Sequence, residues 1–511
     1  MNWFDSWALT LAVFTPVVGI VVLALVPARQ ESTIKAVALL TTLATAGVGV
    51  AILTGFDYDA TDSLQFEVDT TWIEVINSRY HVGVDGISLP LLVLSMLISV
   101  LCVVYSWDHF PEPHNPKAFL MLLLVLEVGM NGTFVAQDLI LFFVFFELVL
   151  LPMYFMIGVW GGPNRQYAAI KFFLFTLFGS ALMILGFLAL FFKVDPHTFD
   201  IPRLAELASE SIAPDTQLWI FAALFMGFAI KVPMFPFHTW LPDAHTEAPT
   251  VGSVILAAVL LKLGTYGFVR VALPILPDAA MSWAPWIGLL AVIGIIYGAL
   301  GCLAQRDMKR LIAFSSVAHM GFVMLGIATL TDFGINAAVF GMVAHGLITG
   351  MLFFVAGSIQ ERFHTRELAR LGGLLVQAPR LGWILGFCAF ASLGLPGLAG
   401  FWGEFPAILS AYQPADGLSE PLFRTYMVVA AVGTVFAAGY LLWMYQRTAF
   451  GTPREEFAAT HVHDVHTPEW LAWAPMLALI VALGVYPALL FRVTDGAVQS
   501  VTSAMQAVGG G

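Results

Sequence analysis

Charged residues are scarce in this sequence. Of its 511 residues, 11% are Asp, Glu, Lys or Arg and 59% are apolar, whereas soluble globular domains have about 25% charged residues. A chain with so few charges cannot cover a folded surface in water. The composition therefore excludes a water-soluble globular fold and indicates a membrane protein.

Cysteines are few, and motifs that bind cofactors are missing. The three cysteines, Cys102, Cys302 and Cys388, lie inside apolar runs far apart in sequence, so neither a disulfide framework nor a thiolate-held cluster is expected. No glycine-rich phosphate loop follows a strand-like segment, which gives no support for nucleotide binding. The net charge of −12 is spread over loops and excludes nucleic acid as a partner. We therefore expect no cofactor, metal ion or redox centre in this chain.

Long apolar segments fill most of the chain. A membrane-spanning helix needs about 20 mostly apolar residues, and fourteen segments have this length. No Lys or Arg precedes the first one, so we expect it to remain as a membrane helix and not to be removed as a signal peptide. The sequence thus predicts an all-α polytopic membrane protein with about fourteen transmembrane helices. Spans 1 to 14 are predicted at residues 8–27, 34–54, 87–107, 117–136, 138–160, 168–192, 217–241, 250–273, 284–305, 311–330, 335–359, 381–411, 425–448 and 470–491.

The distribution of Lys and Arg predicts the orientation. If the N-terminus lies outside, the inward connections hold fourteen of these residues and the outward connections hold six. Because positively charged loops stay on the cytoplasmic side, we expect both termini on the outer side. Lys231 and Lys262 belong to neither group, since each lies about 20 Å along a helix that rises 1.5 Å per residue.

Two outer connections have patterns of their own. Partly alternating apolar and polar residues in 55–86 predict a short hairpin on the outer face. Asp200 and Pro202 predict the start of a surface helix over 200–213. We divide the whole chain into a three-span segment at 1–116, two five-span units at 117–273 and 284–448, and a C-terminal loop with span 14 at 449–511.

Seven ionisable residues lie deep inside predicted spans, away from the span ends. A charge at the bilayer centre costs at least about 2.5–3.5 kcal/mol, so such residues are candidates for function. A buried ion pair that only ties two helices together is the alternative, but seven groups in seven spans fit a proton relay better. The seven residues are Glu127, Glu147, Lys231, Lys262, His319, His345 and Glu404.

Two of these residues lie beside helix breakers. Lys231 precedes Pro233 and Pro236 in span 7, and Glu404 follows the GLPG segment 394–397 in span 12. Proline removes a backbone hydrogen bond and its ring clashes with the preceding turn, so both spans should be interrupted inside the membrane. Spans 7 and 12 cross in opposite directions, which is typical of inverted repeats, here spans 4–8 and 9–13. Prolines are common in membrane helices, but their position beside buried charges favours a working site.

A buried lysine can act as a switch. Burial disfavours its charged form and a neighbouring carboxylate favours it, so the charge of Lys231 should depend on whether an acid such as Glu147 lies beside it. Histidine exchanges protons near neutral pH. His319 and His345 therefore suit the middle of a relay, although each could also be a hydrogen-bonded packing residue.

Two histidine-containing segments could supply nitrogen and oxygen ligands to a metal ion. One follows span 7, and the other lies in the loop before span 14. Neither spacing matches a compact metal motif, so we expect a metal ion at neither. The side chains concerned are His238, Asp243, His245 and Glu247 in the first segment, and His461, His463 and His466 in the second.

Several short segments form a specific set of motifs. They are YHVGVDGISL at 80–89, FFEL at 145–148, KVP at 231–233, HTWLPDAH at 238–245, LKLGTYG at 261–267, SSVAHMG at 315–321 and GLPG at 394–397. In these segments the chain resembles the antiporter-like membrane subunits of respiratory complex I, the proton-pumping NADH–quinone oxidoreductase. The resemblance covers nearly the whole chain and is closest to the NuoM type.

This resemblance implies roles for the buried residues. It implies that Glu147 and Lys231 form a controlling pair, that Lys262 is the central relay and that Glu404 is the terminal group. An acid at 404 is typical of the NuoM type, since the NuoL and NuoN types have lysine there. The candidates His319, His345 and Glu127 rest on their position inside spans.

The resemblance also implies where the redox chemistry takes place. Electrons would pass from NADH through FMN and iron–sulfur clusters of other subunits to quinone, while this chain supplies only a proton pathway. Its partners would be the other complex I subunits, with two related antiporter-like subunits on either side, and membrane lipid, in the bacterial plasma membrane. A subunit of a multi-subunit cation/proton antiporter or of a membrane-bound hydrogenase is the alternative, because these complexes share the scaffold.

Overall fold

The computed structural model describes residues 3–458 and 462–509, and helices dominate this part of the chain. Twelve of its helices are long and apolar enough to cross a membrane, and each matches one predicted span. The predicted polytopic helical membrane fold is thereby confirmed. Spans 1 to 6 are Trp3–Leu25, Glu31–Gly55, Ser88–Tyr105, Pro116–Val135, Leu139–Trp160 and Arg165–Lys193. Spans 8 to 11 are Thr250–Ile275, Pro277–Leu303, Met308–Ala328 and Asp332–Phe363, and spans 13 and 14 are Glu420–Ala449 and Thr467–Val485.

Spans 7 and 12 are each split into two helices, as the sequence predicts. Span 7 consists of Pro214–Lys231 and Trp240–Glu247, and span 12 consists of Pro379–Ser392 and Ala399–Ser410. The break in span 12 contains Gly394 and Gly397 at φ 77° and 92°, a conformation that residues with a side chain rarely adopt. The break in span 7 contains Pro233, which cannot donate to a helical hydrogen bond.

The C-terminal part differs from the prediction. The sequence predicts that span 14 continues to residue 491, but a break at Pro487 separates it from a second helix, Ala488–Gly509. Proline cannot continue the hydrogen-bond ladder of span 14, so the predicted end of this span is wrong. We name the second helix the C-terminal helix. It packs on the start of span 11, where the rings of Phe491 and Phe340 lie 4.8 Å apart between centroids.

The connection between spans 2 and 3 folds into the predicted hairpin. Strand β1, Gln65–Ile73, pairs antiparallel with strand β2, Ser78–Val84. The predicted surface helix is Ile201–Ser211, and the Asp200 carboxylate caps its first turn. His81 of the hairpin joins the two elements, because its Nδ1 lies 2.5 Å from Asp200 Oδ2. We name the side of the bundle on which this hairpin lies the hairpin face.

Spans 8, 10 and 11 form the centre of the bundle. In the apolar 18-residue stretch of each of these spans, 100%, 94% and 100% of the residues are buried. In the corresponding stretches of spans 1, 2, 6 and 13, only 33–39% of the residues are buried. Gly403 of span 12 packs directly on span 11, where its Cβ would lie 2.6 Å from the Gly341 Cα. The broken span 12 therefore lies against span 11 without intervening side chains. Lys262, His319 and His345, which lie on spans 8, 10 and 11, are therefore shielded from lipid.

Candidate functional site

The structure places all seven predicted residues inside the bundle. Five of them are buried, and Glu147 and Glu404 are partly buried. They do not form a single row. One group lies on spans 5 and 7, a second group lies on spans 8, 10, 11 and 12, and Glu127 on span 4 lies apart from both.

Lys231 and Glu147 form the first group. Lys231 ends the first helix of span 7, and its buried Nζ has no hydrogen-bond partner among the described residues. It lies 4.8 Å from the centre of the Phe146 ring, whose π electrons attract a cation. Glu147 instead accepts a hydrogen bond from the Ser180 hydroxyl of span 6. The predicted pair is thus within electrostatic reach but does not form a direct bond.

Lys262 and His345 make a direct contact at the centre. Lys262 Nζ lies 2.7 Å from His345 Nδ1 and also donates a hydrogen bond to the Ala257 carbonyl. That carbonyl is available because span 8 contains a π-helical segment at Leu256–Leu260, where the hydrogen-bond pattern of the α-helix is interrupted. An ammonium group only donates, so His345 Nδ1 accepts and the neutral ring has its hydrogen on Nε2.

His319 and Glu404 form the next contact along the bundle. His319 Nδ1 lies 2.5 Å from Glu404 Oε1, and its Nε2 lies 3.1 Å from both Ser392 Oγ and Tyr440 Oη. Because an ionised carboxylate only accepts, His319 Nδ1–H donates to Glu404, and Nε2 accepts from a hydroxyl group. Both nitrogens of this ring are therefore held in place.

A small cavity connects these two contacts. It is lined by His345, His319 and Glu404 and has a volume of about 20 Å³, which is enough for one water molecule. The two imidazole rings lie 6.0 Å apart between centroids, too far for a direct hydrogen bond. One bridging water would complete a chain of proton-exchanging groups from Lys262 to Glu404.

The two groups are not joined by polar contacts of the described residues. Spans 7 and 8 touch where a Cβ on Gly264 would lie 3.0 Å from the Lys231 Cβ. However, Lys231 Nζ has no hydrogen-bond partner in residues 3–458 and 462–509, and Lys262 Nζ contacts span 11. The path therefore leads from Lys262 to Glu404 in span 12, with room for one bridging water, and it is interrupted between the two lysines.

Glu127 has no polar environment that would explain its position. Glu127 is 0% exposed, and neither oxygen of its carboxyl group has a hydrogen-bond partner among the described residues. An isolated ionised carboxylate is very costly in such a place, and even a neutral carboxyl loses its hydrogen bonds to water.

Sequence reasoning misses several residues of the site. Ser180 holds Glu147, and Ser392 and Tyr440 hold His319, but hydroxyl residues are common in membrane helices and no spacing marks these three. The predicted spans 9 and 10 leave Lys309 in the loop between them, and the structure differs. Lys309 is the second residue of span 10 and buried, and its Nζ donates to the Ala248 carbonyl at 2.7 Å.

The segments considered for a metal ion are engaged in other contacts. Asp243 forms an ion pair with Lys171 at 2.7 Å, and the His245 ring is stacked on Phe353 with centroids 4.4 Å apart. Within residues 3–458 and 462–509, no group of three His, Cys, Asp or Glu side chains could hold a metal ion. His461 lies outside these described ranges.

Replacing Glu127 with methionine tests whether its carboxyl group is unsatisfied. Methionine has a similar volume and no charged or strongly polar group, so Glu127→Met should raise stability by about 1–3 kcal/mol, the penalty of an unpaired buried polar group. The measurement is thermal denaturation of the protein purified in mild detergent. Glu127→Gln keeps an unpaired polar group and should give no comparable gain. A loss of stability in Glu127→Met would show that Glu127 has a polar partner.

Family models match most of the chain. The model described as NADH:quinone oxidoreductase/Mrp antiporter, transmembrane region, matches residues 136–419, and the model for the amino terminus of NADH-ubiquinone oxidoreductase chain 4 matches residues 62–133. A protein from Rhodobacter capsulatus named NADH-quinone oxidoreductase subunit M is 42% identical over 495 residues, which cover 94% of this chain and 94% of that protein.

Solved structures have the same fold. A chain of respiratory complex I from Thermus thermophilus has a TM-score of 0.86 and 28% identity, covering 97% of this chain and 99% of that chain. A chain of the Mrp complex from Dietzia sp. DQ12-45-1b has a TM-score of 0.83 and 20% identity, covering 99% of this chain and 100% of that chain. This likeness concerns the fold alone. From the family match over more than half of its length and the identity to subunit M, the chain belongs to the NADH:quinone oxidoreductase/Mrp antiporter family of membrane proteins.

Proposed function

We propose that this chain is the proton-translocating membrane subunit of an NADH–quinone oxidoreductase, complex I. The observation that supports this most strongly is the chain of buried groups from Lys262 through His345 and His319 to Glu404, with room for one water in its middle. The 42% identity to a subunit M supports redox-driven pumping and not independent transport.

Lys262 is the central relay in this proposal. Its ammonium group donates to His345 Nδ1 at 2.7 Å, and when Nδ1 takes that proton, Nε2 can release one into the cavity. A water there passes the proton to the pair of His319 and Glu404, in which a carboxylate at 2.5 Å stabilises a protonated ring. Glu404 is the terminal group, because the break in span 12 provides backbone groups that water can reach.

Glu147 and Lys231 act as the control. A carboxylate close to Lys231 favours the charged lysine, and its withdrawal favours release of the proton. Within the described part of the chain, Lys231 Nζ has no hydrogen-bond partner and Glu147 is bonded to Ser180, so this pair is in a separated state. Direct bonding between the two would hold the proton on Lys231. We include Glu127 as a further proton-holding group of the same five-span unit.

The four-part division of the chain belongs to the same proposal. Residues 117–273 and 284–448 are two inverted five-span units, flanked by 1–116 and 449–511. The broken helices support this division, since spans 7 and 12 each have an ionisable residue close to the break, Lys231 and Glu404. Because the two helices cross in opposite directions, their breaks can serve opposite faces of the membrane.

The energy source lies outside this chain. We propose that FMN, the iron–sulfur clusters and the quinone site belong to partner subunits of complex I, and that two related antiporter-like subunits flank this chain. The Lys and Arg distribution supports a place in the bacterial plasma membrane with both termini outside. The alternative is a subunit of a cation/proton antiporter or of a membrane-bound hydrogenase, and the fold shared with the Mrp complex is what favours it.

Purification in mild detergent tests the assembly. We expect the chain to be isolated only together with other complex I subunits, because a relay without a redox centre needs an adjoining energy source. The measurements are native gel electrophoresis and the NADH–quinone reductase activity of the band that contains the chain. If the chain purifies alone and exchanges sodium for protons after reconstitution by itself, the complex I proposal fails and the antiporter alternative holds.

Lys262 should be essential for proton transfer. Lys262→Ala removes the donor to His345 and should reduce NADH-driven proton pumping at least about tenfold. Lys262→Arg should do no better, because a guanidinium group cannot release its proton. Pumping is measured by a pH-sensitive dye in membrane vesicles, assembly is checked on native gels, and Lys193→Ala at the exposed end of span 6 is the control. Normal pumping by Lys262→Arg would show that this site does not change protonation.

Glu147 should be required as a charge and not as a packing group. Glu147→Gln keeps the volume and the hydrogen-bonding capacity, so we expect normal assembly but loss of most quinone reduction and proton translocation. Glu147→Asp keeps the charge on a side chain one methylene shorter and should retain a substantial part of both. The assay is NADH-driven acidification of membrane vesicles, with Glu206→Gln on the surface helix as the control. Equal activity of Glu147→Gln and the wild type would exclude the switch.

A further inference from the structure

An apolar cavity of about 630 Å³ lies between spans 2, 3, 11 and 14 and the start of the C-terminal helix. Leucine and valine side chains form most of its wall, among them Leu94, Leu97 and Val343. The volume is in the range of sites that hold small-molecule ligands, about 300–1,000 Å³. We name this cavity the leucine groove. None of the seven relay candidates lines it, so the proton pathway does not explain it.

The leucine groove extends from the hairpin face to the middle of the membrane. Leu347 lines the groove and lies half-way along the 32-residue span 11. Leu97 lies roughly 14 Å along span 3 from Ser88, at 1.5 Å per residue. Half of the hydrocarbon core of a bilayer is about 15 Å thick. The groove therefore has the depth of one leaflet, which fits an acyl chain and is too short for a helix that crosses the membrane.

Two opposite charges lie at the mouth of the groove. Asp59 follows span 2, Arg492 lies near the start of the C-terminal helix, and both line the groove. Among the described residues, no hydrogen bond or ion pair engages the Asp59 carboxylate or the Arg492 guanidinium. Tyr58 and Tyr486 also line the groove and are 48% and 49% exposed. Because tyrosine is enriched where the membrane meets water, the mouth lies at the level of lipid headgroups.

We propose that the leucine groove binds one phospholipid with a primary ammonium headgroup, such as phosphatidylethanolamine. An acyl chain fills the groove, Arg492 binds the phosphate, and the ammonium group donates to Asp59. Charge complementarity favours this occupant, since an apolar helix of a neighbouring subunit would leave both charges without partners in a buried place. A choline headgroup has the same net charge but no N–H group that could donate to the carboxylate.

The bound lipid also covers the relay. Leu94 packs on Gly346, where a Cβ would lie 2.8 Å from Leu94 Cδ2, and Gly346 directly follows His345. The wall of the groove therefore touches span 11 at the residue next to His345. An acyl chain in the groove fills space that water could otherwise occupy near His345.

Photolabelling tests the site. The assembled complex is reconstituted in vesicles with a photoactivatable phosphatidylethanolamine, and the label on the span 11 peptide is measured by mass spectrometry. Arg492→Gln removes the phosphate contact and should lower this labelling about tenfold, the effect of roughly one lost charge-assisted hydrogen bond. Leu97→Trp places a larger side chain where the acyl chain would lie and should lower the labelling by a similar factor. Leu185→Trp on the exposed side of span 6 and Arg424→Gln near the start of span 13 are the matched controls and should label like the wild type. Unchanged labelling in both groove variants would overturn the site. Absence of label from the span 11 peptide of the wild type would overturn it as well.

The headgroup is tested by the choice of lipid. In the wild type, the phosphatidylethanolamine probe should label span 11 about tenfold more than a phosphatidylcholine probe with the same acyl chains, because only the first can donate to Asp59. Asp59→Asn should lose most of this preference, while Asp69→Asn on the hairpin should keep it. Equal labelling of the wild type by both probes would overturn the assignment of the headgroup. Labelling does not depend on NADH oxidation, so its result is independent of the pumping assays.

Discussion

An ammonium group in the middle of a membrane must obtain its hydrogen-bond acceptors from the protein itself. Lys262 obtains two, the Ala257 carbonyl and His345 Nδ1. The π-helical segment of span 8 frees the carbonyl, and the burial of the apolar central stretches of spans 8 and 11 keeps lipid away from both acceptors. The outer spans then supply the lipid-facing surface that the central spans lack. A regular helix exposed to lipid could not meet these needs, because all its backbone groups are paired within the helix.

The broken helices meet the same constraint at two other places. Span 7 ends its first helix at Lys231, and span 12 starts its second helix shortly before Glu404. Each break leaves backbone N–H and carbonyl groups outside a helical ladder, and these groups must face protein or water. An ionisable side chain beside them therefore lies in a more polar setting than the surrounding apolar residues provide. The contact of Gly341 with Gly403 holds span 12 on span 11 at this depth.

The spans, both breaks and the buried ionisable residues can be predicted from the sequence, because apolar length, proline position and a charge inside an apolar run are local properties. Contacts between spans cannot be predicted in this way. Neither the separation of Glu147 from Lys231 nor the hydroxyl of Tyr440 beside His319 has a local signal, since both depend on how distant helices pack. The end of span 14 is misplaced for a related reason. Apolar residues continue past Pro487 into the C-terminal helix. A hydropathy pattern therefore does not show that two separate helices meet at this proline.

The pair of Lys231 and Glu147 differs from the pair of His319 and Glu404 in how its groups are bonded. Glu404 and His319 form a pair in which both nitrogens of the His319 ring have a partner. Lys231 Nζ instead lies over the face of an aromatic ring and has no hydrogen-bond partner among the described residues. Changing the charge of a fully bonded group disturbs each of its hydrogen bonds, while changing the charge of Lys231 disturbs none. We infer that energy from outside the chain acts most easily at Lys231, through the position of Glu147. The segment from Lys262 to Glu404 can then follow by proton exchange along its two hydrogen-bonded contacts and one bridging water.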